Sequence, residues 1–327
     1  MQTLIYNTMK KIAILALFIL TTITHCWAGE EEVTIKCHWG NISATLATPD
    51  NGSDTAIVIV AGSGPTDRNG NSSMQLVTNC YQSLSNELVA EGFAVLRYDK
   101  RAIGRSPIPT ADIPNLILDD YVDDAIQCVD YLHTMGYKRV IIAGHSEGGL
   151  IALIAANRSV AAEALVLLAA PGYPMDEILH TQLSAQLMPM YAGLLAKSDD
   201  IIRRLKAGER VAIEEVPAEL MSLYHPTIQP FLINSMQYDP ATLAKESTLP
   251  MLIITGGNDI QVSIDNGEVI AQNAPNAKHI TFDKMTHVLK DWSSKNQMDQ
   301  LINVYNNPQR PLTEGLTTTI AEFINNL

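Results

Sequence analysis

Residues 140–150 read VIIAGHSEGGL, and this stretch decides the fold. An apolar run ends in Gly144-His145-Ser146-Glu147-Gly148, a G-x-S-x-G pattern, and a run with helical spacing, EGGLIALIAANR, begins at once. A serine on a sharp strand-to-helix turn needs small neighbours, because the backbone there is tight and packs against an adjacent strand. Gly144, Gly148 and Gly149 meet that need. Such a turn points the hydroxyl outward, near the positive end of the following helix. It also leaves the Glu147 backbone N–H facing the oxygen of a tetrahedral intermediate. Glycine and serine are common, so the pentapeptide alone says little. Its place between a strand and a helix gives it weight.

Working outward, apolar runs alternate with helical patterns. Strands are expected at 33–39, 42–48, 55–62, 93–99, 139–145, 163–170, 250–257 and 278–283. The first two have period-2 character and a turn at Gly40-Asn41, which reads as an antiparallel hairpin. The later ones are mostly continuous apolar runs, the pattern of parallel strands buried on both faces. Helices are expected at 76–91, 119–135, 147–158, 264–273 and 314–327. The expected fold is therefore α/β: a mostly parallel eight-stranded sheet with helices on both faces. Residues 173–249 interrupt the alternation with several short helical patterns, rich in Leu and Met, and no convincing strand pair. The stretch is too long for an ordinary connection and reads as a helical cap inserted between core segments 29–172 and 250–327. Its Met188, Met190, Met221 and Met236 could pack its own interior or form an adaptable apolar wall for an acyl chain.

A serine hydroxyl becomes a good nucleophile only when a base takes its proton, and the base needs an orienting acid. On a sheet of this kind the chain order is Ser, then Asp or Glu, then His. Strand 250–257 runs into Asn258-Asp259, which places a carboxylate just past a strand's C-terminal end, the edge where ligands gather. Two histidines follow. His279 lies within a strand, where it packs or faces solvent; His287 lies in the loop after it and is the expected base, with Asp259 as its orienter. The glycine-rich loop Gly62-Ser63-Gly64-Pro65 after strand 55–62 can supply a second oxyanion donor. The Ser63 N–H is the first choice and Gly64 the second. No phosphate-loop pattern occurs there. Asp67 and Arg68 in the same loop are expected to pair with each other.

Composition bounds the setting. Lys10 and Lys11, the apolar stretch 12–23 and Cys26-Trp27-Ala28 have the layout of a secretory signal peptide cleaved after Ala28. A membrane anchor would need about 20 apolar residues, and His25 is a poor residue to precede a lipidated Cys26. The chain is thus expected to be secreted or periplasmic. The formal charge is −13, and loss of Lys10 and Lys11 with the leader takes it to −15, which repels nucleic acid and anionic lipid surfaces. Cys37, Cys80 and Cys128 form no disulfide framework and are expected mainly as buried thiols. No spacing suggests a metal, and no cofactor is expected.

The chain resembles the α/β-hydrolase superfamily, and more closely the secreted bacterial serine esterases related to prolyl oligopeptidases and acyl-CoA thioesterases. The resemblance rests on AGSGPTDRNGN (61–71), LRYDKRAIGRS (96–106), GHSEGG (144–149) and MTHVLK (285–290). It implies hydrolysis of short acyl esters through Ser146, Asp259 and His287, without a cofactor and with water as acyl acceptor. Relatives usually carry glycine at Ala102, so alanine there is strained if the position needs a positive φ. Asp99, Arg101 and Arg105 look structural, holding loops beneath the site. The expected activity is that of a serine carboxylesterase on small apolar acyl esters. The alternatives are a thioesterase, a small peptidase and a non-catalytic protein that binds an apolar ligand in a capped cavity.

Overall fold

The apolar runs of the sequence become the strands of one sheet. The computed structural model describes residues 29–73, 76–158, 161–186 and 191–327. The leader expected at 1–28, Met188 and Met190 lie outside the described residues. The strands are β1 (Gly29–Cys37), β2 (Gly40–Thr48), β3 (Thr55–Val60), β4 (Ala94–Tyr98), β5 (Arg139–His145), β6 (Ala164–Leu168), β7 (Met251–Gly256) and β8 (Ala277–Phe282). They line up as β1-β2-β4-β3-β5-β6-β7-β8. The β1–β2 and β2–β4 pairs are antiparallel and the others are parallel. The hairpin turns at His38-Trp39, just before the expected Gly40-Asn41. Its pairing continues back to Gly29 opposite Thr48, so β1 starts earlier than its apolar residues suggest.

The period of two within β5 puts a different core on each face. Val140 and Ile142 pack with Val122, Val129 and Leu132 of α2 (Leu118–Thr134) and Ile151 of α3 (Glu147–Arg158). Ile141 and Ala143 face the other way, with Leu84 and Leu88 of α1 (Cys80–Ala90) and Leu316 and Ile320 near the C-terminus. Both faces are buried, which is why the strand reads as a continuous apolar run.

Helix α1 was expected from residue 76 but begins at Cys80. The backbone of Asn79 is left-handed (φ 50), and the Ser72 N–H donates to the Leu76 carbonyl at 2.8 Å, which draws 76–79 into the loop. The Thr78 hydroxyl then donates to the Gly70 carbonyl at 2.6 Å. Polar ties to a distant loop outweigh the local helical pattern.

Among the described residues between β6 and β7 lie α4 (Met175–Gln186), α5 (Ala192–Lys206), α6 (Met221–Tyr224), α7 (Gln229–Ser235) and α8 (Pro240–Glu246), with short 3-10 turns at Ile213–Glu215 and Ala218–Leu220. Most of this insertion has a small core of its own, including Ile201, Leu205, Tyr224, Leu232 and Met236, with Met221 packed against it. Helix α8 differs: its Ala244 belongs to the main core beside α3. After β7 come α9 (Ile264–Asn273), α10 (Gln297–Gln300) and α11 (Leu316–Asn325). No helix among the described residues is long and apolar enough to cross a membrane. Cys37, Cys80 and Cys128 are free thiols.

The segment after β4 bears out part of its expected structural role. The Asp99 carboxylate accepts from the Arg68 and Arg105 backbone N–H groups and from the Arg68 guanidinium, each at 2.9 Å. Arg101 is buried against Asp124 at 2.6 Å. The Arg105 side chain is exposed instead, and meets only Glu32 at 3.3 Å among the described residues. Ala102 does carry a positive φ, 68°. A left-handed alanine costs about 1–2 kcal/mol, and glycine's extra unfolded-state freedom costs about 0.5–1 kcal/mol. Ala102→Gly is therefore expected to stabilise the protein by about 0.5–1 kcal/mol in urea denaturation. A measured loss would show that the turn does not need this conformation.

Candidate active site

Strand β5 ends at His145 and α3 begins at Glu147, leaving Ser146 alone on the turn with φ 54. A non-glycine residue in this region costs about 1–3 kcal/mol and persists only where its surroundings over-determine it. They do so here. The Ser146 N–H donates to the Leu168 carbonyl of β6 at 2.9 Å, and its carbonyl accepts from Gly149 at 2.8 Å. A Cβ on Gly148 would sit 2.2 Å from the Val60 carbonyl oxygen, and one on Gly144 2.2 Å from that of Gly148. The glycines flanking the serine are therefore sterically obligatory.

Asp259 follows β7 and His287 follows β8, and the structure joins them: His287 Nδ1 lies 2.8 Å from Asp259 Oδ2. The Asp259 side chain is fully buried (0%). Its other oxygen accepts the backbone N–H groups of Gln261 at 2.7 Å and Val262 at 3.0 Å. Three hydrogen bonds thus fix the carboxylate. Ser146 and His287 open onto the same cavity, about 220 Å³, whose lining also includes Ser63, Gly64 and Leu76. His279 stays apart in β8, with Nε2 2.9 Å from the Thr255 hydroxyl.

Three residues to which the sequence assigned no role tie the pieces together. The Gly62 N–H donates to the Tyr81 hydroxyl at 3.0 Å, and that hydroxyl lies 2.7 Å from His145 Nδ1. His145 Nε2 lies 2.7 Å from the His287 carbonyl oxygen. A carbonyl only accepts, so this network assigns the proton to Nε2, and Nδ1 accepts from Tyr81. Burial, and then the neighbouring His287, push His145 down to about 3, so it stays a neutral spacer between the glycine-rich loop and the base. The third is Lys100, whose ammonium donates to the Gly62 carbonyl and lies 3.9 Å from the buried Glu147 carboxyl. That carbonyl shares a peptide unit with the Ser63 N–H, so Lys100 orients the unit bearing the expected donor. Burial lowers Lys100 and raises Glu147, each partner opposing the shift.

One expectation fails. Arg68 does not pair with Asp67; it is buried against Asp99 and Glu32, both at 2.9 Å. Asp67 instead accepts the N–H groups of Asn69 and Asn71, closing its own loop. Of the two roles open to the insertion's methionines, packing of its own interior is the one seen, and none of its described residues lines the Ser146 cavity. Met221 and Met236 are absorbed by the insertion's own core.

Residues 74–290 match the family model described as Serine aminopeptidase, S33. This chain belongs to that family of hydrolases. The S33 chain is 28% identical to Esterase EstD of Thermotoga maritima over 264 residues, 80% of its own length. It spans 60% of the length of that relative. A solved esterase from Pyrococcus furiosus superposes with a TM-score of 0.58 at 17% identity, covering 91% of both chains. Proline iminopeptidase from Mycobacterium smegmatis gives 0.59 at 16% identity, covering 90% of this chain and 98% of its own. These likenesses bear out the α/β-hydrolase fold.

Proposed function

We propose that the protein is a serine carboxylesterase that hydrolyses short- to medium-chain acyl esters. The observation that carries this reading is the convergence of Ser146 and His287 on one cavity, with Asp259 bonded behind the histidine. His287 takes the Ser146 proton through Nε2 as the serine oxygen attacks the ester carbonyl. The backbone N–H groups of Ser63 and Glu147 hold the resulting oxyanion, the latter at the positive end of α3. His287 then protonates the departing alcohol and activates a water that releases the acid. Asp259 keeps the imidazole proton on Nδ1 and stabilises the cation.

The lining of the cavity favours an ester over the peptides that the family's description suggests. An aminopeptidase must hold a charged α-amine, and no Asp or Glu lines this cavity among the described residues. No Lys or Arg lines it either, which disfavours a polyanionic thioester such as acyl-CoA. The leader expected at 1–28 supports a secreted or periplasmic enzyme.

The cavity is small. About 150 Å³ accommodates benzene, whereas sites for drug-sized ligands span roughly 300–1,000 Å³. For p-nitrophenyl esters, kcat/KM is expected to peak at acetate to butanoate and to fall at least about tenfold by decanoate. A fluorophosphonate should label the protein stoichiometrically, because it reacts with activated serines. Absence of both labelling and ester turnover would return the chain to a binding role.

A further inference from the structure

Three neighbouring strands, β4, β3 and β5, run parallel and end at the same edge of the sheet. Lys100 follows the first by two residues, Gly62 follows the second by two, and Glu147 opens α3 after the third. The Lys100 ammonium donates to the Gly62 carbonyl, lies 3.9 Å from the Glu147 carboxyl and sits 5.4 Å from the centroid of the Tyr121 ring. Among the described residues, Lys100 and Glu147 have no ion partner but each other. Both side chains are shut away from water, at 3% and 8% exposure.

A buried ion pair is a weak source of stability, because both charges lose their water. This one is poorly made even for that purpose. At 3.9 Å the charges are too far apart to hydrogen-bond, and the ammonium gives its hydrogen bond to a neutral carbonyl instead. The nucleophile turn does not require an acid at 147 either, since its glycines meet the steric demands. What distinguishes the pair is what it is attached to. The Gly62 carbonyl shares a peptide with the Ser63 N–H, and Glu147 carries the other expected oxyanion donor as its own N–H. One ammonium is thus tied to both donor-bearing residues. A peptide carbonyl that accepts a hydrogen bond from a cation is polarised by it, and the N–H of the same peptide becomes a stronger donor.

We infer that Lys100 and Glu147 are a positioning pair for the oxyanion hole. The ammonium orients and polarises the Gly62–Ser63 peptide, and the Glu147 carboxyl anchors that ammonium to the residue that supplies the second donor. Neither side chain touches a reacting atom. Together they set the spacing of the two N–H groups and keep a positive charge behind them as the ester oxygen turns negative. The inference rests on the esterase reading above and deepens it by assigning residues that make its oxyanion hole work.

The test uses p-nitrophenyl acetate and its thiono analogue, in which sulfur replaces the carbonyl oxygen. Sulfur is a weak acceptor, so the thiono ester draws little from the hole, and the ratio of kcat/KM between the two esters reports on the hole itself. Lys100→Met should lower kcat for the acetate at least about thirtyfold, somewhat less than the hundred- to thousandfold of deleting a donor outright. KM should move less than about threefold, and the oxygen-over-sulfur ratio should shrink at least about fivefold. Lys100→Met also strands Glu147 as a lone buried acid, so its melting temperature should fall. The double variant Lys100→Met with Glu147→Gln removes both charges and should regain much of that stability without regaining kcat or the ratio. Recovery of activity together with stability would make the pair merely structural and overturn the inference. An equal loss on both esters, or no change on either, also overturns it. If neither Lys100 variant folds, Glu147→Gln alone decides: a smaller ratio supports the pairing and an unchanged one overturns it. If the intact protein turns over neither ester and a fluorophosphonate does not label it, the esterase reading falls and this inference with it.

Discussion

Ser146→Ala is expected to lower kcat for p-nitrophenyl acetate by at least about a thousandfold, the scale seen when a serine nucleophile is deleted. The loss should be chemical rather than structural. Alanine keeps the Cβ, so it occupies the same left-handed position (φ 54) at similar cost, and the backbone bonds to Leu168 and Gly149 do not involve the hydroxyl. Thermal unfolding of the variant should therefore match that of the parent. The oxyanion donors remain, so activity should settle above the rate in water rather than vanish. A loss under tenfold would mean that another group attacks the ester.

The second large effect is expected at Asp259. Asp259→Asn should cost about ten-thousandfold in kcat, the size found when an orienting aspartate becomes an amide. The surroundings explain why the amide has no harmless orientation. Oδ1 accepts two backbone N–H groups, from Gln261 and Val262. An asparagine must keep its carbonyl oxygen there, which turns its NH₂ toward His287 Nδ1. That nitrogen must then accept, so the imidazole proton moves to Nε2, the atom needed to deprotonate Ser146. Fluorophosphonate labelling should slow in parallel, because it depends on the same deprotonation. Retention of more than a tenth of the activity would show that His287 does not need Asp259.

Much of this arrangement was legible in the sequence. The strands are continuous apolar runs because both faces of the sheet are covered. The serine turn is marked by glycines that the close approach of β3 and α3 makes obligatory. Asp259 and His287 could be picked out because each follows a strand directly. What could not be read was polar and long-range. Arg68 finds Asp99 and Glu32, 31 and 36 positions away, rather than its neighbour Asp67. Tyr81, His145 and Lys100 lie on α1, on β5 and after β4, and no periodicity announces that their polar atoms meet. The Met-rich composition of the insertion left two roles open, because an apolar segment can bury itself as readily as it can line a pocket.

The way the insertion is mounted also bears on how such enzymes diversify. Helix α8 does the structural work of the crossover from β6 to β7 by packing on the main core, while the helices before it form a satellite with its own interior. Lengthening a connection costs little, about 0.6 kcal/mol per doubling. Descendants of this gene can therefore remodel residues 173–239 while the sheet and its nucleophile turn are inherited unchanged.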